Sequence, residues 1–406
     1  MPAPDPYPAP STGPTKTALA RASSRPAIAP GALASQPCLA CAREKPLADY
    51  SVTPLWPSAL GGAAIAAPFK TAAMCKSCCE LAQIQIDGAF LKSWFMQAEL
   101  ARAAQAYLDP QDPGPAPLTY LGKIDGFPVQ EGEVCDRWAG LAGEAIYHVH
   151  CGKDELWAGF GRSEEIVPEP ADPGHATLVL ASPSQYWSTV ALLSFAAHFP
   201  FAARFCVNEF GSLQGLETGL TANCHPRELD WLRMHGHRPT IINSGLQDDF
   251  SQRFLIKLAL GIGQSLFGNA FTATGYARQL RRSFWQHKPQ VRPFRPAGTS
   301  FAKAGAWALC LVAHGEILGL TITTPTGKAL DIVIADQPAL WSGAEHDSLR
   351  EGRVWIAVPQ RRIFTQPYPL AECLAYQNGT TTHHGIAMLG SLRNMPRQLP
   401  GKQGFA

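Results

Sequence analysis

Two absences frame this chain. No histidine occurs before His148, and no aspartate or glutamate occurs from Phe250 through Gly315. The first removes the commonest general base from the N-terminal third. The second gathers positive charge into one stretch although the formal net charge is only +2, so a cationic role has to come from local clustering. Charged residues make up 16% of the sequence against 46% hydrophobic, the balance of a globular chain with a buried core. No uninterrupted apolar run of about 18 residues occurs, nor a basic n-region followed by an apolar stretch and a cleavage site, which gives the expectation of a cytoplasmic, non-membrane protein. "GIGQSLFG" has glycines but no preceding strand and no P-loop lysine, and Ser182 and Ser184 sit in no nucleophile elbow. A phosphate cradle and a hydrolase triad are thereby unsupported, and helix packing through small residues is the expectation for the glycines. No repeat of fixed period is present.

At 406 residues the chain exceeds what one core usually serves. Residues 1–36 carry eight prolines among Ala, Ser, Thr and Gly, too little apolar surface to offset ordering, and are expected to be a disordered leader. A cysteine module over 37–108, a Pro-rich linker over 109–117, a mixed α+β domain over 118–386 and a tail over 387–406 complete the expected organisation. "CELAQIQIDGAFLKSWFMQAELARAAQAYL" has helical spacing with Gly88 as its expected break. "AIYHVHC" and "ATLVLA" read as strands, "PSQYWSTVALLSFAAHF" as a helix, and Asp249–Trp285 as a longer helical stretch. "AWALCLVAH", "ILGLTITT", "KALDIVIAD" and "VWIAVPQ", joined by short turns, predict a small antiparallel sheet.

Eleven cysteines are present, five of them between Cys38 and Cys79 and the rest scattered singly, a pattern of metal ligation rather than of a disulfide framework. Cys38, Cys41, Cys75 and Cys78 form two Cys-x-x-Cys pairs. Four thiolates at about 2.3 Å fill a tetrahedral zinc shell and leave no open position, so the expected role is a structural zinc site. Cys79 is a spare thiol beside it.

The order Cys-x-x-Cys, then Pro57-x-x-Leu60-Gly61-Gly62, then Cys-x-x-Cys opening a helix that runs into "IDGAFLKSWF", resembles the bacterial HNH endonuclease family over about residues 38–95. That resemblance implies a treble-clef (ββα-metal-like) zinc module. In the family a Glu-His pair precedes the turn and an Asn follows the second pair: the His is the general base, the Glu helps hold a divalent metal, and the Asn braces the hairpin. Here Thr53, Pro54 and Cys79 occupy those positions. Proline carries no ionisable group and no N–H, so the resemblance implies that the zinc frame is kept and the catalyst is gone. Asp87 is the one acidic group on the helix in reach of a metal, and a solvated or capping role is the plainer expectation for it.

His148 and His150 alternate onto one side of a strand, an arrangement open to metal binding or to an ordinary half-buried face. Cys224, His225, His235 and His237 match no zinc spacing. In the acid-free stretch, "YARQLRRSFWQHKPQVRPFR" interleaves Tyr276, Phe284, Trp285 and Phe294 with basic groups. Arg278, Arg281, Arg282, Lys288, Arg292 and Arg295 with Trp285 are the candidate phosphate and base contacts, against the alternative of a solvated helix face. The expectation is thus a zinc-containing pseudo-nuclease that binds DNA or RNA. The alternatives are an active nuclease, needing Mg²⁺ or Mn²⁺ and a distant base such as His148, and a zinc-stabilised protein-interaction module.

Overall fold

The computed structural model describes residues 35–62, 68–108, 116–142, 144–151, 175–179, 187, 190–191, 193–195, 205–207, 226–235, 248–286, 288–289, 292–294 and 300–392. Most of the expected leader, linker and tail lies outside them, as do Ser182, Ser184, Cys224, His225, His237 and Arg295. Ser35 and Gln36, expected in the leader, belong to a strand instead.

The described residues begin with strands β1 (Ser35–Pro37) and β2 (Glu44–Pro46), an antiparallel hairpin whose loop carries Cys38 and Cys41. Strands β3 (Thr53–Pro54) and β4 (Lys70–Thr71) pair next, and α1 (Lys76–Ala82) starts directly after Cys75. The helix then widens into a π segment over Gln83–Gly88, continues as α2 (Ala89–Lys92), breaks at Ser93 and resumes as α3 (Trp94–Tyr107). The expected break at Gly88 is therefore displaced. Gly88 keeps helical dihedrals, and a Cβ there would come 3.2 Å from the Gln83 carbonyl, so glycine relieves a crowded wide turn without ending the helix. Ser93 makes the break: its hydroxyl donates to Phe90 O at 2.6 Å and accepts from the Met96 amide at 3.3 Å, closing one helix and capping the next.

A five-stranded sheet follows in the order β5 (Thr119–Lys123), β6 (Glu133–Ala139), β7 (Ala145–Cys151), β8 (His175–Val179), β9 (Phe205–Val207), antiparallel except for the β8–β9 pair. Strands β7 and β8 are the two read from sequence; β5 and β6 were not anticipated. The described part of "PSQYWSTVALLSFAAHF" is helical as expected. A helix not anticipated, α4 (Pro226–His235), packs Trp231 against Phe127 and Tyr147.

The expected long helical stretch is two helices, α5 (Asp248–Thr272) and α6 (Gly275–Ser283), the second capped by Thr274, whose hydroxyl accepts from the Ala277 amide at 3.0 Å. By length and composition Phe250–Thr272 passes as a membrane-crossing helix. Arg253, Lys257 and Gln264 interrupt its apolar run, and here it lies in the protein core. Two of its glycines serve packing, as expected: a Cβ on Gly261 would sit 2.2 Å from Leu55 Cδ2, and one on Gly263 2.5 Å from the Phe271 ring. Gly268 does not: at φ 56° and with nothing near its Cβ position, it kinks the helix.

The expected antiparallel sheet is built from β10 (Trp307–His314), β11 (Ile317–Thr323), β12 (Ala329–Ala335), β13 (Arg353–Val358) and β14 (Ile363–Phe364) in the order β12-β11-β10-β13-β14, with β15 (Tyr368–Pro369) beside β13. Gly315, at φ 59°, opens the two-residue β10–β11 turn. Helix α7 (Asp347–Glu351) precedes β13, and α8 (Leu370–Gln377) and α9 (His384–Ser391) end the described chain.

Both faces of this sheet are buried, which is why its strands read as nearly continuous apolar runs. Ala308, Cys310, Val354 and Ile356 meet Tyr107, Cys373 and Ile386 on one face. Trp307, Leu309, Leu320 and Trp355 meet α5 and the cysteine segment on the other. Trp56 stands edge-on to Trp307 with centroids 5.9 Å apart, Phe69 to Trp355 at 5.1 Å, and Phe90 stacks on Phe254 at 4.1 Å. The cysteine segment and the sheet over 307–364 thus share one core cluster with α5 and α6 wedged into it.

Candidate metal centre

The first pair is shaped by its backbone. Cys38 N donates to Arg43 O at 3.0 Å and Ala42 N to Cys38 O at 2.9 Å, a tight turn that forces Ala42 to φ 59°. The second pair is brought to it by three contacts. Leu39 N donates to Ala73 O at 2.8 Å, Tyr50 bridges to Cys75, and the Cys75 amide points at Cys38 Sγ at 3.4 Å. Cys75 then caps α1, which presents Cys78 from its first turn. The Sγ atoms of Cys38, Cys41, Cys75 and Cys78 all lie within 4.8 Å of one another, the one such cluster among the described residues. Sulfur separations of about 3.8 Å follow from tetrahedral Zn–S bonds of about 2.3 Å. Four sulfur donors and no oxygen match zinc better than a hard cation.

Electrostatics make the same point. Burial pushes the thiols of Cys38 and Cys78 up, and four clustered sulfurs resist sharing negative charge. At Cys75 burial is outweighed by hydrogen bonds with Ser77, the Cys78 amide and the neighbouring thiols, and its thiol is lowered to about 7. The Tyr50 hydroxyl, which donates to Gln36 O at 2.7 Å, is pushed up to about 12 by burial and by the nearby sulfurs. A bound dication supplies the positive charge that lets all four sulfurs ionise together.

Between the pairs, the Pro57–Gly62 turn is as compact as its sequence suggests. Gly61 takes φ 90°, and a Cβ on Gly62 would lie 2.2 Å from Trp56 O, while the Trp56 indole N–H donates to Leu60 O at 2.8 Å. Thr53, Pro54 and Cys79 lie close together. Thr53 Oγ1 is 3.2 Å from Cys79 Sγ, which also reaches Met74 O at 3.6 Å, so Cys79 stands outside the sulfur cluster. Pro54 pairs with Lys70 on β4 and is exposed.

Asp87 is neither solvated nor a cap but ion-paired. It is 8% exposed and receives both its hydrogen bonds from Lys257 Nζ on α5, at 2.7 Å and 2.5 Å. Burial pushes the Asp87 carboxyl up and the lysine opposes it, so the two groups depend on each other. Lys257, one of the cations of the acid-free stretch, is not assigned by the sequence as the partner of Asp87. Its signal was a single cation inside the apolar helix "FLIKLALGIG", which needs a buried partner.

His148 and His150 do share one strand face, with ring centroids 4.7 Å apart; His148 is buried and His150 half-buried. His150 Nε2 is 3.0 Å from Asp136 Oδ2 and Nδ1 is 3.2 Å from Cys151 O, while Tyr120 donates to Asp136 Oδ1 at 3.1 Å. Both ring nitrogens of His150 face acceptors, which fits the imidazolium. His148 packs edge-on against Phe195. His235 stacks on Trp231 within α4.

The basic stretch is sorted by the helical period. Tyr276, Ala277, Leu280 and Ser283 turn inward on α6, followed by buried Phe284, while Arg278 and Arg282 are exposed on its outer face. Tyr276 donates to Val333 O at 3.0 Å, and Phe294 lies over Gly319, leaving no room there for a Cβ. The interleaved aromatics are thus mostly core, a correction to the expected stacking platform; Trp285 alone is half-buried. Arg281 Nε donates to Leu39 O at 2.9 Å, and Arg292 pairs with Asp336 at 3.3 Å. Lys288 is exposed.

No protein-family model, curated protein or solved structure matches the chain significantly.

Proposed function

We propose that this is a zinc-stapled pseudo-nuclease: a treble-clef module of the HNH type, without its catalyst, that binds nucleic acid through the outer face of α6. The observation that carries the non-catalytic half is the Asp87–Lys257 pair. Asp87, on the helix that follows the second cysteine pair, is neutralised from within by Lys257 of α5, and Thr53 and Cys79 satisfy each other. Zinc held by Cys38, Cys41, Cys75 and Cys78 would supply folding free energy and no chemistry. Arg278 and Arg282, one helical turn apart, with Lys288 beyond them, offer a row of cations in an acid-free stretch. Arg281 and Arg292 serve the fold first, which narrows the phosphate-contacting set.

The deciding experiment is a salt titration of oligonucleotide affinity for the zinc-loaded chain. Log affinity should fall linearly with log salt, and Arg278→Ala with Arg282→Ala should flatten the slope by roughly one unit per lost contact. No binding to DNA or RNA at low salt would refute the nucleic-acid half, and cleavage with Mg²⁺ or Mn²⁺ would refute the other. A protein-interaction role is favoured by a different observation: Val52, Leu81 and Ile84 of the cysteine segment are exposed at 68%, 41% and 74%.

A further inference from the structure

One hydrogen bond joins the first cysteine pair to the basic helix. Arg281 Nε donates to the carbonyl of Leu39, which lies between Cys38 and Cys41. Leu39 is buried, and its own amide is held by Ala73, two residues before Cys75. The direction of that carbonyl is therefore fixed by closure of both cysteine pairs around their centre. The start of α6 is anchored separately, by the Thr274 cap and by the Tyr276 hydroxyl on Val333 O. Its last turn carries Arg281 and Arg282, and Phe284 just beyond packs into the same core cluster as Leu39 and Ala40.

We infer that metal occupancy of the four-cysteine centre sets the order of the last turn of α6 through the Leu39–Arg281 bond, so that zinc regulates anion binding at Arg278 and Arg282. The anion-binding half rests on the function proposed above; the coupling itself does not. The loop 38–43 forms a turn that includes Ala42 at positive φ, a conformation an L-residue leaves when nothing holds it, and zinc on Cys38 and Cys41 would hold it. Once the loop relaxes, Leu39 O swings away and the guanidinium loses its acceptor. Linkage runs both ways: an anion that orders this turn raises zinc affinity by the factor by which zinc raises anion affinity, within the 5- to 150-fold range usual for coupled sites.

The test is amide hydrogen exchange on the full chain, zinc-loaded and after chelation, together with zinc-loaded Arg281→Met. Chelation should speed exchange at residues 278–283 about tenfold or more while β10 and β11 keep their protection. Arg281→Met, with zinc in place, should reproduce that loss and show weaker zinc binding in competition with a chromophoric chelator. A thymidine oligonucleotide and a duplex of equal length then serve as anion probes, and chelation should weaken their binding to wild type more than to Arg281→Met. Unchanged protection of 278–283 after chelation overturns the inference. Should chelation also expose β10 and β11, the variant decides, and normal protection with normal zinc affinity overturns it. Coupled exchange without binding of either probe leaves the coupling standing and removes the nucleic-acid role.

Discussion

Lys257 closes on Asp87 with its ammonium nitrogen within 2.7 Å of both carboxylate oxygens, across 170 residues of sequence and with both groups buried. Removing one partner strands the other charge. Lys257→Met should lower stability by about 3 to 5 kcal/mol, whereas Lys257→Met with Asp87→Leu should recover most of the loss. Urea unfolding of the singles and the double checks this, and a double variant no better than Lys257→Met would show that the pair contributes more than mutual neutralisation.

Ala42 occupies a backbone region that costs an L-residue about 1 to 2 kcal/mol. Ala42→Gly should raise the stability of the zinc-loaded protein by ~0.5 to 1 kcal/mol, part of the relief being returned as chain entropy in the unfolded state. Thermal unfolding at fixed zinc concentration is the measurement.

The thiols of Cys38 and Cys78, raised by burial, must lose their protons before they can ligate. Zinc uptake should therefore release protons, and apparent zinc affinity should climb with pH. Chelator competition at several pH values tests this; elemental analysis should give one zinc per chain, lost in Cys75→Ser.

In the second sheet, the hydrogen bond that His150 donates to Asp136 raises the pKa of His150, against a smaller opposing effect of burial. For Asp136, burial pushes upward but is outweighed by His150 and Tyr120, so its pKa is lowered. The stability from a raised histidine is full below its unfolded value near 6.5 and fades as pH rises through its folded value. That from the lowered carboxylate is present above about 3.9 and fades as pH falls through its folded value. The pair should therefore contribute most between about pH 4 and 6.5. Comparing wild type with His150→Gln by urea midpoint should show a gap that narrows towards alkaline pH. A gap independent of pH would place the value of His150 in packing alone.

What could be read from the chain were the features with a local pattern: the paired cysteines, the apolar runs of β10 to β13 between short turns, the apolar periodicity of α5 and α6, the glycine turn after Pro57. What could not be read were the polar ties that fasten distant segments, Lys257 to Asp87 and Arg281 to Leu39, the latter 242 residues apart. Local pattern carries no information about such partners. The aromatic residues of the basic stretch are a different case. Tyr276, Leu280 and Phe284 recur every four residues, a helical stripe that points inward, and that spacing was available in the sequence.

Because the core that surrounds Phe90 and Trp56 is completed only by Phe254, Trp307 and Trp355, the ribosome delivers its two halves far apart in time. Some 265 residues separate Phe90 from Trp355, which at 5 to 20 residues per second is roughly 13 to 53 s of synthesis. For that interval Leu55, Trp56, Phe69 and Phe90 lack the surface that covers them in the finished protein, and the four sulfurs have only each other for company. Early capture of a metal would hold the nascent hairpin in shape and keep its thiols from oxidation while the remaining chain is made.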